Sequence, residues 1–182
     1  QLSLLHTRNS APKLTEPGPT PAQLQAIFQA ALRAPDHAWL RPWRFITIAG
    51  ERRKAFGEVL EQSLLARRPD ADAAAREKAR NAPLRAPLLV AVVVRLSEHP
   101  KVPPVEQRLS AGCAAHAMLL AAEAQGLAGI WRTGDAAFDR KVMDALWLSA
   151  QEELVGFIYL GTREGRVKPL PDLDAGDFVS SW

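Results

Sequence analysis

The sequence contains only one cysteine, Cys113, and four histidines. A single cysteine cannot form a disulfide within the chain or build a zinc site from several cysteines. The histidines are scattered, and no spacing among them indicates a metal site or a catalytic triad. We therefore predict a cytoplasmic protein without a bound metal.

Long hydrophobic runs are also missing. No stretch approaches the roughly 20 apolar residues that a membrane-spanning helix requires. Residues 1–14 lack an uninterrupted apolar region of the length found in signal peptides, so nothing in them predicts export. We expect no membrane partner.

Charge of one sign is not concentrated anywhere in the chain. The 23 Lys and Arg residues against 20 Asp and Glu residues give a net charge of +3. Nucleic-acid-binding proteins usually present a clustered basic face, so we expect no nucleic-acid partner. Binding of a small anion remains open.

The common nucleotide and hydrolase signatures are absent as well. Neither GxGxxG nor GxxxxGK[ST] occurs, which argues against the usual dehydrogenase and kinase classes. HExxH and GxSxG are also missing, so zinc proteases and α/β-hydrolases are not indicated. The remaining candidates for function are clusters of polar and aromatic residues.

The composition and the pattern of elements predict one folded domain. The 182 residues are 47% hydrophobic and 24% charged, which is typical of a globular protein with its own core. Helices are predicted at 21–34, 105–125 and 138–148, with two surface helices between 51 and 82, and strands at 43–49, 87–96, 127–133 and 153–162. We predict a single α+β domain over residues 1–182, with α/β-type alternation and a mixed central sheet flanked by helices.

Two elements and the tail carry information about burial. The continuous apolar run at 87–96 is typical of a strand buried on both faces, so it should be central in the sheet. Segment 105–125 is apolar nearly all round, which predicts a buried helix, and a dimer interface is one candidate partner. Cys113 and His116 in this helix are assigned to packing. The tail from Arg163 to Trp182 is predicted either to lack regular secondary structure or to reach across a partner.

Three clusters of polar and aromatic residues stand outside these patterns. The RNS motif at 8–10 combines a guanidinium, an amide and a hydroxyl, which suit a phosphate group, whereas an exposed helix end is the alternative. The second cluster is the connection LRAPDHAWLRPWRF at 32–45, and the third is GIWRTG at 129–134. Ligands often bind where strands end, but a core tryptophan followed by a turn explains the third cluster equally well.

Together the three clusters resemble the nitroreductase family of FMN-dependent NAD(P)H oxidoreductases, and most closely its small bacterial members. The resemblance extends over nearly the whole chain, through RNS, RAPDHAWLRPWRF, SAGCAAHAMLLAAEAQGLAGIWRTG and VGFIYLGT. The usual forms in the family are RRS, AP-S-x-x-N-x-QPW-x-F, AA-x-x-x-GLG-x-x-W and a G-[TY] strand exit. Each motif is weak alone, whereas their order and spacing together are specific.

The resemblance implies a nitroreductase-like FMN-binding fold and a homodimer with one FMN at each of two subunit interfaces. The residues implied as FMN ligands are Arg8, Asn9, Ser10, Arg33, His37, Trp131, Arg132 and Thr133. The RNS motif would hold the phosphate and ribityl end, and residues 131–133 would lie along the isoalloxazine ring. Arg33 and His37 would reach the flavin from the partner subunit. Arg166 or Lys168 could add phosphate contacts, and a solvated turn is the alternative for that segment.

Several positions depart from the family pattern. His37 and Trp39 replace the usual serine and asparagine, and Arg41 replaces the glutamine before Pro-Trp. Pro12 stands where a lysine often follows the first motif. The cation that faces the flavin pyrimidine is therefore left open among Lys13, Lys78 and Arg80.

In small members of the family, the end of the long helix is associated with the nicotinamide nucleotide. The corresponding residues here are Ala121, Ala122, Glu123, Ala124, Gln125 and Gly126. A helix C-terminus presents carbonyl groups, which repel phosphate. The small side chains, which permit close approach of a ligand, are therefore the only local feature that supports nucleotide binding at this segment.

The resemblance predicts an FMN-dependent oxidoreductase with a two-step cycle. The enzyme would take hydride from NADH or NADPH and then reduce a small-molecule acceptor, a nitroaromatic or a quinone, in the same pocket. The flavin would carry the redox chemistry, so no catalytic side chain is required, and His37 is the exception to test. Two alternatives stay open: a flavin-binding protein without turnover that acts as a sensor or carrier, and a cofactor-free dimeric interaction domain.

Overall fold

The helices and strands predicted from residue 21 onward occur in the predicted order, and the structure adds one short helix and one short strand before them. The computed structural model describes residues 2–182. Its helices are α1 (Leu2–Thr7), α2 (Pro21–Ala31), α3 (Arg52–Arg67), α4 (Ala73–Asn81), α5 (Pro104–Ala124) and α6 (Arg140–Ala145). Its strands are β1 (Leu14–Thr15), β2 (Trp43–Ala49), β3 (Leu88–Arg95), β4 (Ala128–Arg132) and β5 (Glu152–Arg163). None of the described helices is both long and apolar enough to cross a bilayer.

The start of α2 is fixed by hydrogen bonds among neighbouring residues. Thr20 is the N-cap: its Oγ1 accepts a hydrogen bond from the Gln23 N–H at 3.2 Å, and the Gln23 side chain accepts one from the Thr20 N–H at 2.9 Å. This reciprocal pair satisfies two backbone donors that the helix itself cannot. Pro21 occupies the first helical position, where a missing N–H costs nothing.

The five strands form one antiparallel sheet. β3 lies between β2 and β5, while β4 and β1 both pair with the opposite edge of β5. Every pairing among residues 2–182 is antiparallel, so the α+β class is confirmed but the expectation of a mixed sheet is corrected. The apolar run that suggested a central strand reports burial on both faces, and it carries no information on the direction of the neighbouring strands.

The sheet separates two hydrophobic cores. Side chains of β3 alternate between them, with Leu89, Ala91 and Val93 facing one side and Val90 and Val92 facing the other. The first core also contains residues of α3 and α6, and the second contains residues of α2 and α5. The predicted central strand is therefore confirmed, and the long helix α5 lies on one face of the sheet.

A charged cluster ties the start of β5 to β2. The buried carboxylate of Glu152 accepts hydrogen bonds from Arg44 Nε at 2.7 Å and Arg44 Nη2 at 2.8 Å, and from the Ser149 N–H at 3.0 Å. The hydrogen bond from Arg44, above all, lowers the pKa of Glu152 to about 2.

We expect Glu152 to make the protein sensitive to acid. The unfolded chain takes up a proton near the ordinary pKa of 4.5, whereas the folded chain resists protonation until about 2. The ionised Glu152 therefore stabilises the fold fully at pH values above 4.5, and this stabilisation is lost as the pH falls towards the folded-state pKa of about 2. Glu152→Gln should lower the free energy of unfolding by about 2 kcal/mol at neutral pH, and by about half as much at pH 3.

Urea denaturation at the two pH values measures this difference. Glu51→Gln is the matched control, because Glu51 forms a strongly exposed ion pair with Lys54. The control should change stability by less than about 0.5 kcal/mol. An effect of Glu152→Gln that does not depend on pH would contradict the role assigned to its carboxylate.

Candidate functional site

The RNS motif lies directly after α1 and beside the start of β4. The Ala11 N–H donates to the Gly129 carbonyl at 3.0 Å, which fixes the segment after the motif against β4. Arg8 Nη1 lies 3.4 Å from Ser10 Oγ, and both residues are half-buried. The guanidinium and the hydroxyl are thus close enough to contact one anionic group together.

Asn9 is buried and gathers three distant segments around the motif. Its Nδ2 donates to the Lys168 carbonyl at 2.8 Å, and its backbone N–H donates to Glu123 Oε2 at 3.3 Å. Its carbonyl accepts a hydrogen bond from Arg163 Nη2 at 2.7 Å. The tail, the end of α5 and the end of β5 therefore meet at the predicted phosphate motif.

Two buried guanidinium nitrogens beside this motif lack partners. Arg132 Nε and Arg163 Nη1 make no hydrogen bond within residues 2–182. Arg132 Nη2 and Arg85 Nη2 both approach the Pro12 carbonyl, at 3.3 Å and 3.5 Å. Burial, and next the charge of Arg85, lower the pKa of Arg132. A buried donor without a partner is costly, so an anionic or acceptor-rich ligand would stabilise this region.

Trp131 is held against β5 by a close contact that only glycine allows. Its indole Nε1 lies 3.4 Å from the Val155 carbonyl. Val155 is the extra residue of a β-bulge, since Val92 pairs with Gly156 while Val93 pairs with Leu154. A Cβ on Gly156 would collide with the Trp131 indole. The bulge and the glycine together place Trp131 at the edge of the sheet.

Residues 131–133 border a groove of about 700 Å³, whose other wall is formed by α3 and α4. Tyr159 lies at its base, with its ring centroid 5.5 Å from the Arg132 guanidinium carbon, and burial raises the pKa of this tyrosine. Lys78 lines the groove. Arg80, in contrast, bonds to Glu61 at 3.3 Å, so it is engaged elsewhere.

The predicted residues of the loop before β2 do not meet the rest of the site within one chain. Arg33, His37 and Trp39 are exposed, Trp39 at 81%. No hydrogen bond within the described residues joins Arg33 or His37 to the RNS motif or to β4. His37 Nδ1 instead lies 2.7 Å from Glu106 Oε2 on α5.

The end of α5 lies next to the RNS motif, through the bond between Glu123 and Asn9. Its carbonyls are largely used by the turn that ends the helix: Gln125 and Leu127 donate to the Ala122 carbonyl, and Gly126, with a φ of +78°, donates to that of Glu123. Segment 121–126 therefore contributes backbone and small side chains to the neighbourhood of the motif.

One face of α5 is exposed in the single chain, so the predicted burial of this helix all round would require the dimer interface that the sequence analysis named as a candidate partner. Val105 is 57% exposed and Leu109 is 64% exposed. Cys113 and His116, assigned to packing from the sequence, lie on the same face and are exposed in this chain. Residues 164–182 are also exposed, including the apolar side chains of Leu173, Phe178, Val179 and Trp182.

Sequence reasoning missed Arg85 and Arg163. Arg85 ends a 3-10 turn before β3, and Arg163 ends β5. No local pattern distinguishes them among 23 basic residues. They join the site only because the antiparallel sheet brings both segments to the Asn9–Pro12 stretch.

Comparison with known proteins identifies the family of the chain. The model of the nitroreductase family matches residues 6–162. The chain is 50% identical over 161 residues to "Putative NAD(P)H nitroreductase YdjA" of Escherichia coli K12, covering 88% of this chain and 87% of that protein.

Solved structures show the same fold. A nitroreductase-like family protein from Bacillus cereus superimposes with a TM-score of 0.83 at 18% identity, over 100% of this chain and 95% of that one. A nitroreductase with bound FMN from Bacteroides fragilis gives a TM-score of 0.76 at 22% identity, over 100% and 98%. Since the family match spans most of the chain and the relative shares half of its residues, this protein belongs to the nitroreductase family.

Proposed function

We propose that this protein is an FMN-dependent oxidoreductase that takes hydride from NAD(P)H and reduces a nitroaromatic or quinone-type acceptor by a ping-pong cycle. The observation that carries the proposal is the convergence of the RNS motif, β4 and two partnerless buried guanidinium nitrogens at one edge of the sheet. The relative named as an NAD(P)H nitroreductase and the neighbour with bound FMN support it.

The phosphate end of FMN fits the RNS motif. Arg8 and Ser10 lie side by side, and Arg163 and Lys168 reach the same place through Asn9. Guanidinium and hydroxyl donors together suit a phosphate dianion. We therefore propose Arg8, Ser10 and Arg163 as phosphate ligands, with the tail around Lys168 closing the site.

The ring end fits the exit of β4. Trp131, Arg132 and Thr133 border the groove, and Arg85 approaches the same Pro12 carbonyl as Arg132, so two positive charges lie close together there. FMN, when bound, supplies the hydride-accepting and hydride-donating chemistry. We propose that Arg132 and Arg85, rather than Lys13, Lys78 or Arg80, favour negative charge on the pyrimidine side, by the same charge matching as in an oxyanion hole.

We further propose a homodimer, because one chain does not complete the site. Arg33 and His37 lie on an exposed loop and would serve the flavin of the partner subunit. The exposed apolar face of α5 and the exposed tail offer surface for a second copy. The nicotinamide nucleotide would approach residues 121–126, which the bond between Glu123 and Asn9 places next to the RNS motif.

An anaerobic titration separates this proposal from its two alternatives. The purified protein should be yellow, lose its oxidised-flavin absorbance when NADPH is added, and regain it when a quinone follows. Persistent absorbance after NADPH would indicate a flavin-binding protein without turnover. Colourless protein that binds no added FMN would indicate a cofactor-free interaction domain. Parallel lines in the initial-velocity plots would support the ping-pong order.

Arg8→Ala should weaken FMN binding while leaving the fold intact. It removes a charge-assisted phosphate contact worth about 1.5–3 kcal/mol, so Kd should rise about 10- to 100-fold. Titration of the apoprotein, followed by the quenching of FMN fluorescence, measures the affinity. Arg52→Ala at the exposed start of α3 is the control and should leave Kd unchanged. Wild-type affinity in Arg8→Ala would refute the phosphate assignment.

A further inference from the structure

The loop that carries His37 is held in an uncommon conformation. Ala38, Trp39 and Arg41 have φ angles of +59°, +53° and +49°. Such angles cost free energy in residues other than glycine, and they persist only where surrounding contacts impose them, often at binding sites. Here Asp36 Oδ2 accepts a hydrogen bond from the Arg41 N–H at 2.8 Å, which closes the loop on itself.

The imidazole of His37 is fixed from outside the loop. Its Nδ1 lies 2.7 Å from Glu106 Oε2, and this is the only hydrogen bond of the ring within residues 2–182. The remaining charged groups of the loop are Arg33, Arg41 and Asp36, and Asp36 is occupied by the Arg41 N–H. Glu106, on α5, is therefore the carboxylate that orients the ring.

The contact between His37 and Glu106 leaves Nε2 as the ring nitrogen that can give up or take a proton. An ionised carboxylate only accepts hydrogen bonds, so Nδ1 must carry a proton. Nε2 is then an acceptor in the neutral ring and a donor in the charged ring. Both side chains are about half exposed, at 52% and 42%, so Nε2 can exchange its proton with water.

We infer that Glu106 is a positioning residue that orients His37 as the proton donor to the acceptor bound at the partner subunit; this inference rests on the proposed function. Reduction of a quinone to a hydroquinone consumes one hydride, which the reduced cofactor supplies, and one proton. His37 gives that proton from Nε2 to the quinone oxygen left with the negative charge. The ring then takes a proton back from water.

The test compares two acceptors that differ in their need for a proton. Benzoquinone consumes a proton on reduction, whereas ferricyanide accepts only electrons. At saturating FMN, His37→Gln should lower kcat/KM for benzoquinone about 100-fold more than kcat/KM for ferricyanide, whose reduction needs no proton. Glu106→Ala should lower the benzoquinone rate about fivefold, as expected for loss of a half-exposed ion pair. Added imidazole should partly rescue His37→Ala.

A matched control and a structural readout complete the design. Glu153→Gln on β5 breaks the ion pair of Glu153 with Arg108 of α5, a 2.8 Å contact of similar exposure, and should leave both rates unchanged. The ¹⁵N spectrum of the imidazole should show the proton on Nδ1 in the wild type and a shift toward Nε2 in Glu106→Ala.

The outcomes distinguish this inference from the proposed function. Equal losses with the two acceptors, or no loss with either, would overturn the role of His37. An unchanged tautomer in Glu106→Ala would overturn the role of Glu106. A wild-type protein that binds no FMN would overturn the proposed function itself, and with it the inference.

Discussion

Replacement of Gly156 by alanine is expected to destabilise the fold by about 2–4 kcal/mol and to weaken FMN binding at least tenfold. Gly156 has a φ of +156°, which side chains rarely adopt, and an added Cβ would lie 2.8 Å from Trp131 Cδ1 and 3.0 Å from the Arg132 carbonyl. The indole would have to leave its place against β5, and the groove would lose one of its borders. Urea denaturation and FMN titration measure the two effects.

Gly50→Ala separates backbone strain from the collision. Gly50 also has a positive φ, +54°, but a Cβ there would meet nothing within 4 Å. We expect a loss of about 1 kcal/mol and unchanged FMN affinity. If Gly156→Ala retained wild-type FMN affinity, Trp131 would have no part in holding the ring.

Replacement of Leu109 by glutamate is expected to turn the proposed dimer into a monomer and to abolish FMN binding at micromolar concentrations. Leu109 lies at 64% exposure on the apolar face of α5. Burying an unpaired carboxylate at a two-fold interface costs several kcal/mol for each copy, which exceeds what a modest interface can supply. Sedimentation velocity reports the mass, and the absorbance at the flavin band reports the cofactor.

Trp147→Glu is the matched control for this change. Trp147 is 79% exposed, and it follows α6, which packs on the face of the sheet opposite to α5. This variant should keep both the dimer and the FMN. A Leu109→Glu protein that stays dimeric with a full complement of FMN would show that the subunits meet elsewhere.

Local sequence signals predicted the main helices and strands but not how the strands are directed relative to one another. The capping pattern at Thr20 and Pro21 predicted the start of α2 correctly, because the hydrogen bonds that begin a helix form among near neighbours, whereas the helix ends at Ala31 and not at residue 34. The apolar run at 87–96 identified the central strand for a similar reason, since burial on both faces constrains every side chain of a strand. The direction of its neighbours depends on distant connections, and that expectation was wrong.

The arginines of the candidate site also were only partly predictable from local sequence. Trp131, Arg132 and Thr133 were found because they stand together at a strand end, whereas Arg85 and Arg163 are separated from them and from each other along the chain. The pairing of β5 with β3, β4 and β1 decides that these segments meet near Pro12. Neither the contact of Arg85 with Pro12 nor the bond between Glu106 and His37 is encoded in a local pattern.

The sequence by itself determined the order of helices and strands, the central strand and the membership of the nitroreductase family, because periodicity, capping and motif order are properties of neighbouring residues. Only the tertiary structure decided the antiparallel directions, the place of Trp131 above Gly156 and the gathering of three arginines around one backbone segment. Those features depend on register and on close approach between remote segments, and such contacts arise only when the whole chain packs.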